Sequence, residues 1–416
     1  MKFAQRMSRL GTETAYAVAG DAAAYAEKGH TVYPFHLGDI NRPTPPHITS
    51  ACKKYLDEGK TGYCPAAGIK PLREAMAEEI NRTHGTDYTW ENVSIQSGGK
   101  PTIGKFLMNV MEEGDEVLYP TPGYPIYESQ INFFGGIPKP YIYREEKDEF
   151  VMDMDYFQSL ISSQTTALIY NNYQNPMGVC SSSEEMQKIA DLAIKNDWMV
   201  LSDEAYFDLV YDETPRSIVS LPGMKERTVL LSTFSKKYAM TGWRLGAAIG
   251  PKDIIEKINK INTNDEACTT HFVQWAGIDA LKGDEKYCQQ LRKLLQKRRD
   301  ACLEILRDCP GIIVHKPKST FYLFVNVTQA MEKMNIDSYE TFRLHMLEKT
   351  GVSFCTREHF GSPLPSENQK YIRLAYSGID VPQIHEGLGK FKAYIQSCFS
   401  EGKREKETGN FRLFLL

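Results

Sequence analysis

TVLLSTFSKKYAMTGWRLGAAIG, residues 228–250, is the stretch around which the chain is organised. Thr228 to Leu231 is β-branched and apolar and reads as a core strand, and Leu245 to Ile249 reads as a second. The connection between them is polar and carries Thr233, Ser235, the tandem lysines Lys236 and Lys237, and Arg244. A lysine amine forms a Schiff base with an aldehyde. An arginine eight residues on can hold a phosphate bidentately, as a charge that does not deprotonate. That pair, at the end of a buried strand, suits pyridoxal phosphate.

The order Ser235-Lys236, then Met240-Thr241-Gly242-Trp243-Arg244-Leu245-Gly246, resembles the lysine motif of the class I/II aminotransferases, the aspartate aminotransferase-like enzymes of pyridoxal phosphate (PLP) fold type I. The resemblance implies an α/β fold: a large domain with a mostly parallel mixed sheet flanked by helices, and a smaller α/β domain. It gives Lys236 rather than Lys237 the Schiff-base role and Arg244 the phosphate, with Thr233 and Ser235 as neighbouring cofactor contacts.

Composition bounds the remaining possibilities. The chain has 416 residues, 42% hydrophobic and 25% charged, with net charge −4, as an ordinary globular protein of two or three domains does. That charge does not suggest a nucleic-acid partner, and the basic run Gln296-Lys297-Arg298-Arg299 reads as a solvated helix face. Nine cysteines occur singly with no C-x-x-C, which argues against a zinc site or a disulfide framework and for a reducing compartment. No apolar run reaches signal-peptide or membrane-span length, so the cytoplasm is expected.

Taken in order, residues 9 to 29 predict a helix, and Val32 to Asp39 an extended segment ending in the turn Arg42 to Pro46. By the resemblance, the Gly38 N–H meets the substrate carboxylate. Gly62 to Gly68, followed by Leu72-Arg73-Glu74-Ala75, matches a family pattern in which Tyr63 reaches the cofactor phosphate of the other subunit, which implies a homodimer with shared sites. Val93 to Gln96 is a strand, and Ser97-Gly98-Gly99-Lys100-Pro101 turns from it into a helix whose N-terminus, with Gly98, Gly99 and Lys100, suits an anion. Gly99 to Lys105 also fits G-x-x-x-x-G-K, but Phe106 stands where a nucleotide-binding P-loop needs Ser or Thr.

Glu116 to Tyr119 is a strand ending in a proline-rich turn that fixes Tyr124, the position of the family aromatic that stacks on the pyridine ring. Thr166 to Tyr170 leads to Asn171 through Gly178, which resembles the family's N-x-x-x-N-P-x-G turn and gives Asn175 the cofactor's O3′ and the substrate carboxylate. Trp198 to Leu201 is a strand with Asp203 and Tyr206 just after it, where open α/β sheets bind ligands. By the resemblance, a carboxylate there would keep the pyridine nitrogen protonated, and Tyr206 would bond O3′. A long helix from about Asp284 to Asp308 precedes strands at Thr320 to Val327 and Tyr371 to Tyr376. In the second of these, Arg373 matches the arginine that clamps the substrate carboxylate; a structural salt bridge is its other reading.

The expected organisation is residues 1–50 as an N-terminal arm and part of the small domain, 51–285 as the large cofactor-binding domain, 286–400 as the small domain and 401–416 as a flexible tail. The function implied is transfer of the amino group of an L-amino acid to a 2-oxo acid by a ping-pong route, with no metal and no membrane partner. Another PLP reaction on the same fold (β-lyase, decarboxylase or cyclising enzyme), or a non-catalytic regulator, stays open at this stage. The substrate side chain is unread, with Lys105, Asp39 and the N-terminal helix as equal candidates.

Overall fold

The computed structural model describes residues 2–11 and 13–412. Seven strands make the central sheet: β1 Val93–Gln96, β2 Glu116–Pro120, β3 Ile137–Tyr141, β4 Thr165–Tyr170, β5 Met199–Asp203, β6 Thr228–Thr233 and β7 Gly246–Ile249. Their spatial order is β1-β7-β6-β5-β4-β2-β3. β7 runs antiparallel to both β1 and β6, and every other neighbouring pair is parallel. The sequence of the inner strands does not alternate, because helices cover both faces and most of their residues are buried.

Both strands expected in the 228–250 stretch are present and are paired, Gly246 opposite Thr233 and Ile249 opposite Leu230. The segment Phe234 to Leu245 therefore turns back at the carboxyl edge of the sheet. Asp203, Tyr170 and Pro120 end their strands at that same edge, which is where an open α/β sheet places a ligand.

The other body is a four-stranded antiparallel sheet of Ile313–Val314, Tyr322–Asn326, Tyr371–Ala375 and Cys355–Thr356. The helices Lys286–Leu306, Tyr339–Thr350 and Val381–Arg412 pack with it. Tyr33–Pro34 adds a short parallel pair with Val352–Ser353, so Tyr33, Phe35 and Ile40 join the same apolar cluster as Leu323, Phe342 and Leu374.

Four features depart from the sequence reading. The N-terminal helix is broken into a 3-10 turn, Gln5–Arg9, and an α-helix, Ala15–Glu27. Between them Gly11 donates its N–H to Ser129 Oγ at 2.9 Å and its carbonyl accepts from the same hydroxyl at 3.3 Å, so its backbone groups are bonded there and not to a helix ladder. Strand β3 was not expected, because Pro138 and Pro140 lie in it; it sits at the sheet edge, where a missing N–H is tolerated. Arg298 and Arg299 are not a solvated face but fully buried: Arg298 donates to Ser377 O, Asn41 and Asp380, and Arg299 to Asp212 and Pro317 O. Of the tail, residues 401–412 continue the last helix, and 413–416 lie outside the described residues.

Candidate active site

A cavity of about 590 Å³ opens at the carboxyl edge of the large sheet, and its wall draws on both bodies and on the N-terminal segment. Lys236, Asp203, Tyr206, Tyr124, Asn175, Arg244, Arg373, Gly38, Gly99, Lys100, Thr233 and Ser235 all line it. Gly98 stands just behind, and Tyr63 lies outside, 91% exposed on its loop.

The tandem lysines separate cleanly. Lys236 Nζ faces the cavity and donates to the Gly38 carbonyl at 2.8 Å. Lys237 turns the other way, into Glu79 at 2.8 Å and Asp208 at 3.0 Å. Burial works against its charge, but those carboxylates hold it protonated well above the ordinary lysine range. Lys236 has no such pairing: burial, with Arg373 and Arg244 adding to it against Asp39, brings its amine down to about 8. Since the neutral amine is the nucleophile, the rate at which the free chain captures pyridoxal phosphate is expected to rise with pH through a midpoint near 8. Stopped-flow absorbance across pH 6 to 11 checks it, and a midpoint at an ordinary lysine value would contradict the geometry.

Beside this amine, Arg244, Thr233 and Ser235 gather at the start of a helix. Gly98 has φ +91°, and a Cβ on it would lie 2.3 Å from Arg244 Nη2, so glycine lets the guanidinium lie against the start of helix Lys100–Val110. Arg244 itself is left-handed at φ 55°, a conformation a non-glycine residue adopts at a cost of roughly 1–2 kcal/mol. Its Nη1 donates to Thr241 O at 2.8 Å, and Thr233 Oγ1 donates to Ser235 Oγ at 2.9 Å.

Opposite, Asp203 Oδ2 accepts from the Tyr127 hydroxyl at 2.6 Å and Oδ1 from the Ala205 N–H at 3.1 Å. Burial pushes the carboxyl of Asp203 up, so a protonated ring nitrogen beside it would supply the missing counter-charge. Tyr206 bonds Tyr322 hydroxyl to hydroxyl at 2.7 Å. A Cβ on Gly38 would fall 2.1 Å from Tyr322 Oη, so glycine here also makes room for a protein side chain.

Arg373 is buried, and no carboxylate lies in ion-pair reach of it among the described residues. Its Nη2 donates to His36 O at 2.7 Å and its Nη1 to Asn175 Oδ1 at 3.2 Å, while Nε has no partner. Tyr322 and Phe360 flank it at 4.3 and 4.6 Å. A structural salt bridge is therefore not what this arginine makes. A buried cation with a spare donor suits an incoming carboxylate.

Lys105, a candidate reader of the substrate, is excluded: its Nζ is buried against Gln96 at 2.9 Å, Asn262 at 2.7 Å and Glu266 at 2.5 Å. The P-loop half-match fails as well, since Gly104 and Lys105 lie inside a helix that begins at Lys100. Sequence reading missed Tyr127, Asn171, Tyr322, His359 and Phe360, all on the wall. Asn171 could have been found: it opens the turn that was recognised, and it accepts from the Asn175 N–H at 3.1 Å and donates to Asp203 O at 3.0 Å.

The family model for aminotransferase class I and II matches residues 33–391. A probable aspartate/prephenate aminotransferase of Aquifex aeolicus is 31% identical over 94% of this chain and 98% of that protein. An aromatic-amino-acid aminotransferase of Thermococcus litoralis is 32% identical over 82% and 86%. Among solved structures, Thermus thermophilus aspartate aminotransferase with maleate superposes with TM-score 0.85 at 27% identity, covering 94% of this chain and 99% of that one.

Proposed function

The chain belongs to the class I and II aminotransferase family, enzymes of PLP fold type I that move an amino group from an amino acid to a 2-oxo acid, and from that premise we propose how its own residues divide the work. The observation that carries the reading is one lysine, Lys236, facing a cavity that also holds a buried carboxylate and a buried arginine, with neither the lysine nor the arginine in an ion pair with an acid among the described residues. Pyridoxal phosphate would be held by Lys236, by Arg244, Thr233, Ser235 and the helix start at Gly98, Gly99 and Lys100, by Tyr124 against its ring and by Asp203 at its nitrogen. Bound there, it supplies an electron-withdrawing ring that stabilises negative charge at the donor's Cα.

Arg373 and Asn175 grip the donor's α-carboxylate, with the Gly38 N–H as a third contact, and so aim its Cα–H bond. With pyridoxal phosphate bound, Lys236 Nζ would be placed to take the donor's Cα proton as general base, and burial already brings its amine in the free chain down to about 8. Asp203, fixed by Tyr127 and the Ala205 N–H, would keep a proton on the ring nitrogen. Tyr206 and Asn175 would steady the ring's O3′. The same residues then serve the 2-oxo acid in reverse, a ping-pong sequence.

We further propose that two copies complete each site. Tyr63 is 91% exposed, and Phe3, Met7 and Leu10 are exposed apolar side chains on the N-terminal segment, as a surface covered by a second chain would present. Residues 1–50 and 286–400 act as the body that carries Arg373, 51–285 as the body that carries the cofactor. All nine cysteines are free thiols, in keeping with the cytoplasm, and no helix among the described residues is long and apolar enough to cross a membrane.

The test is the half-reaction. Purified protein loaded with pyridoxal phosphate is mixed with single amino acids and no oxo acid; at least one donor is expected to convert the visible cofactor band to the pyridoxamine phosphate band, with release of the matching 2-oxo acid. Carbon dioxide or a β-eliminated product in its place would point to another reaction on the same fold.

A further inference from the structure

The cations lining the cavity are Lys236, Arg244, Arg373 and Lys100. With Arg244 on a phosphate, Arg373 on an α-carboxylate and the helix start at Lys100 offering the phosphate its backbone N–H alone, the Lys100 ammonium is the one cation left among the described residues to meet a second carboxylate on a donor's side chain. That lysine is occupied: its Nζ donates to Glu13 Oε2 at 2.5 Å. The carboxylate is held in place by its surroundings. Two residues earlier Gly11 is bonded to Ser129 through both its N–H and its carbonyl, and just beyond it the Glu13 carbonyl accepts from the Tyr16 N–H where helix Ala15–Glu27 begins. The Glu13 side chain is half-buried at 20% exposed, while that of Lys100 is 41% exposed.

A second carboxylate, Asp39, lines the same cavity and accepts from Thr241 Oγ1 and from the Ile40 N–H, both at 2.9 Å. Beside these groups the wall is aromatic, with Tyr16, Tyr124 and Phe360. His359 also lines it, and burial holds its imidazole below the ordinary value. A donor bearing a distal carboxylate would have to displace Glu13 from Lys100 while meeting two like charges. An uncharged ring meets a surface suited to it.

We propose that Glu13 is a specificity-determining residue that occupies the lysine a distal carboxylate would need, so that the site takes donors with uncharged, aromatic side chains. This rests on the aminotransferase reading above. The holoenzyme and its E13Q variant are compared in the half-reaction with phenylalanine, tyrosine, aspartate and glutamate. For the wild type, kcat/KM with phenylalanine is expected to exceed that with aspartate by about tenfold or more. In E13Q the aspartate-to-phenylalanine ratio is expected to rise about tenfold, chiefly through KM. Calorimetry gives a readout without turnover: E13Q should tighten succinate relative to 3-phenylpropionate by a similar factor. A wild type that prefers aspartate, or an E13Q ratio unmoved in both measurements, overturns the role of Glu13. A loaded protein converted by no donor at all overturns the amino-transfer reading, and this inference with it.

Discussion

Replacing Lys236 by alanine is expected to lower the half-reaction rate by roughly three to four orders of magnitude, since both the covalent anchor and the proton-transferring base go with it. Pyridoxal phosphate should still bind through the phosphate contacts, but reduction with borohydride should no longer fix it to the chain. Lys237→Met provides the contrast. It leaves Glu79 and Asp208 without their shared cation, which in a largely buried setting costs roughly 2–3 kcal/mol of stability, reduced from the fully buried case because Asp208 is 35% exposed. K237M should therefore unfold earlier in urea yet retain covalent capture of the cofactor. If K237M loses capture and K236A keeps it, the two lysines have been assigned the wrong way round.

Arg373→Lys is the second large effect. The guanidinium already spends one donor on His36 O and one on Asn175 Oδ1, and it still has others to offer a carboxylate. An ammonium keeps the charge and loses the fork, so kcat/KM for any amino acid donor is expected to fall about 10²- to 10³-fold, mostly in KM. The effect should be shared by donors of every side-chain type, because it acts on the carboxylate they have in common. Donor-selective loss would instead place Arg373 at the side-chain end of the cavity.

Most of the large sheet was legible in the sequence because its strands are short apolar runs ending in chemistry, and Asp203, Lys236 and Asn175 sit at or just beyond such ends, whereas Arg373 stood out as a lone charge in the middle of an apolar strand of the smaller sheet. What stayed hidden depended on contacts far along the chain. Gly11 breaks the first helix because Ser129, 118 residues away, bonds both its backbone groups. Lys105 looked available until Asn262 and Glu266 closed over it. Pro138 and Pro140 concealed a strand that is permitted only because it lies at an edge. Arg298 and Arg299 read as solvated for a similar reason: Asn41, Asp212 and Ser377, the groups that bury them, are nowhere near in sequence. Tyr127 and Tyr322 carried no local mark at all, and their roles come from a hydroxyl arriving 2.6 Å from Asp203 and one arriving 2.7 Å from Tyr206.

The bond from Arg373 to the His36 carbonyl spans 337 positions, and edge strand β1 waits for β7, more than 150 residues downstream, to pair with it. On the ribosome, then, the nascent chain holds an unfinished sheet edge while about 150 further residues are made, and Arg373 joins the cavity wall far later than Gly38. Contacts this distant also make for slow folding. The cavity wall is therefore completed by segments made long after its first ones.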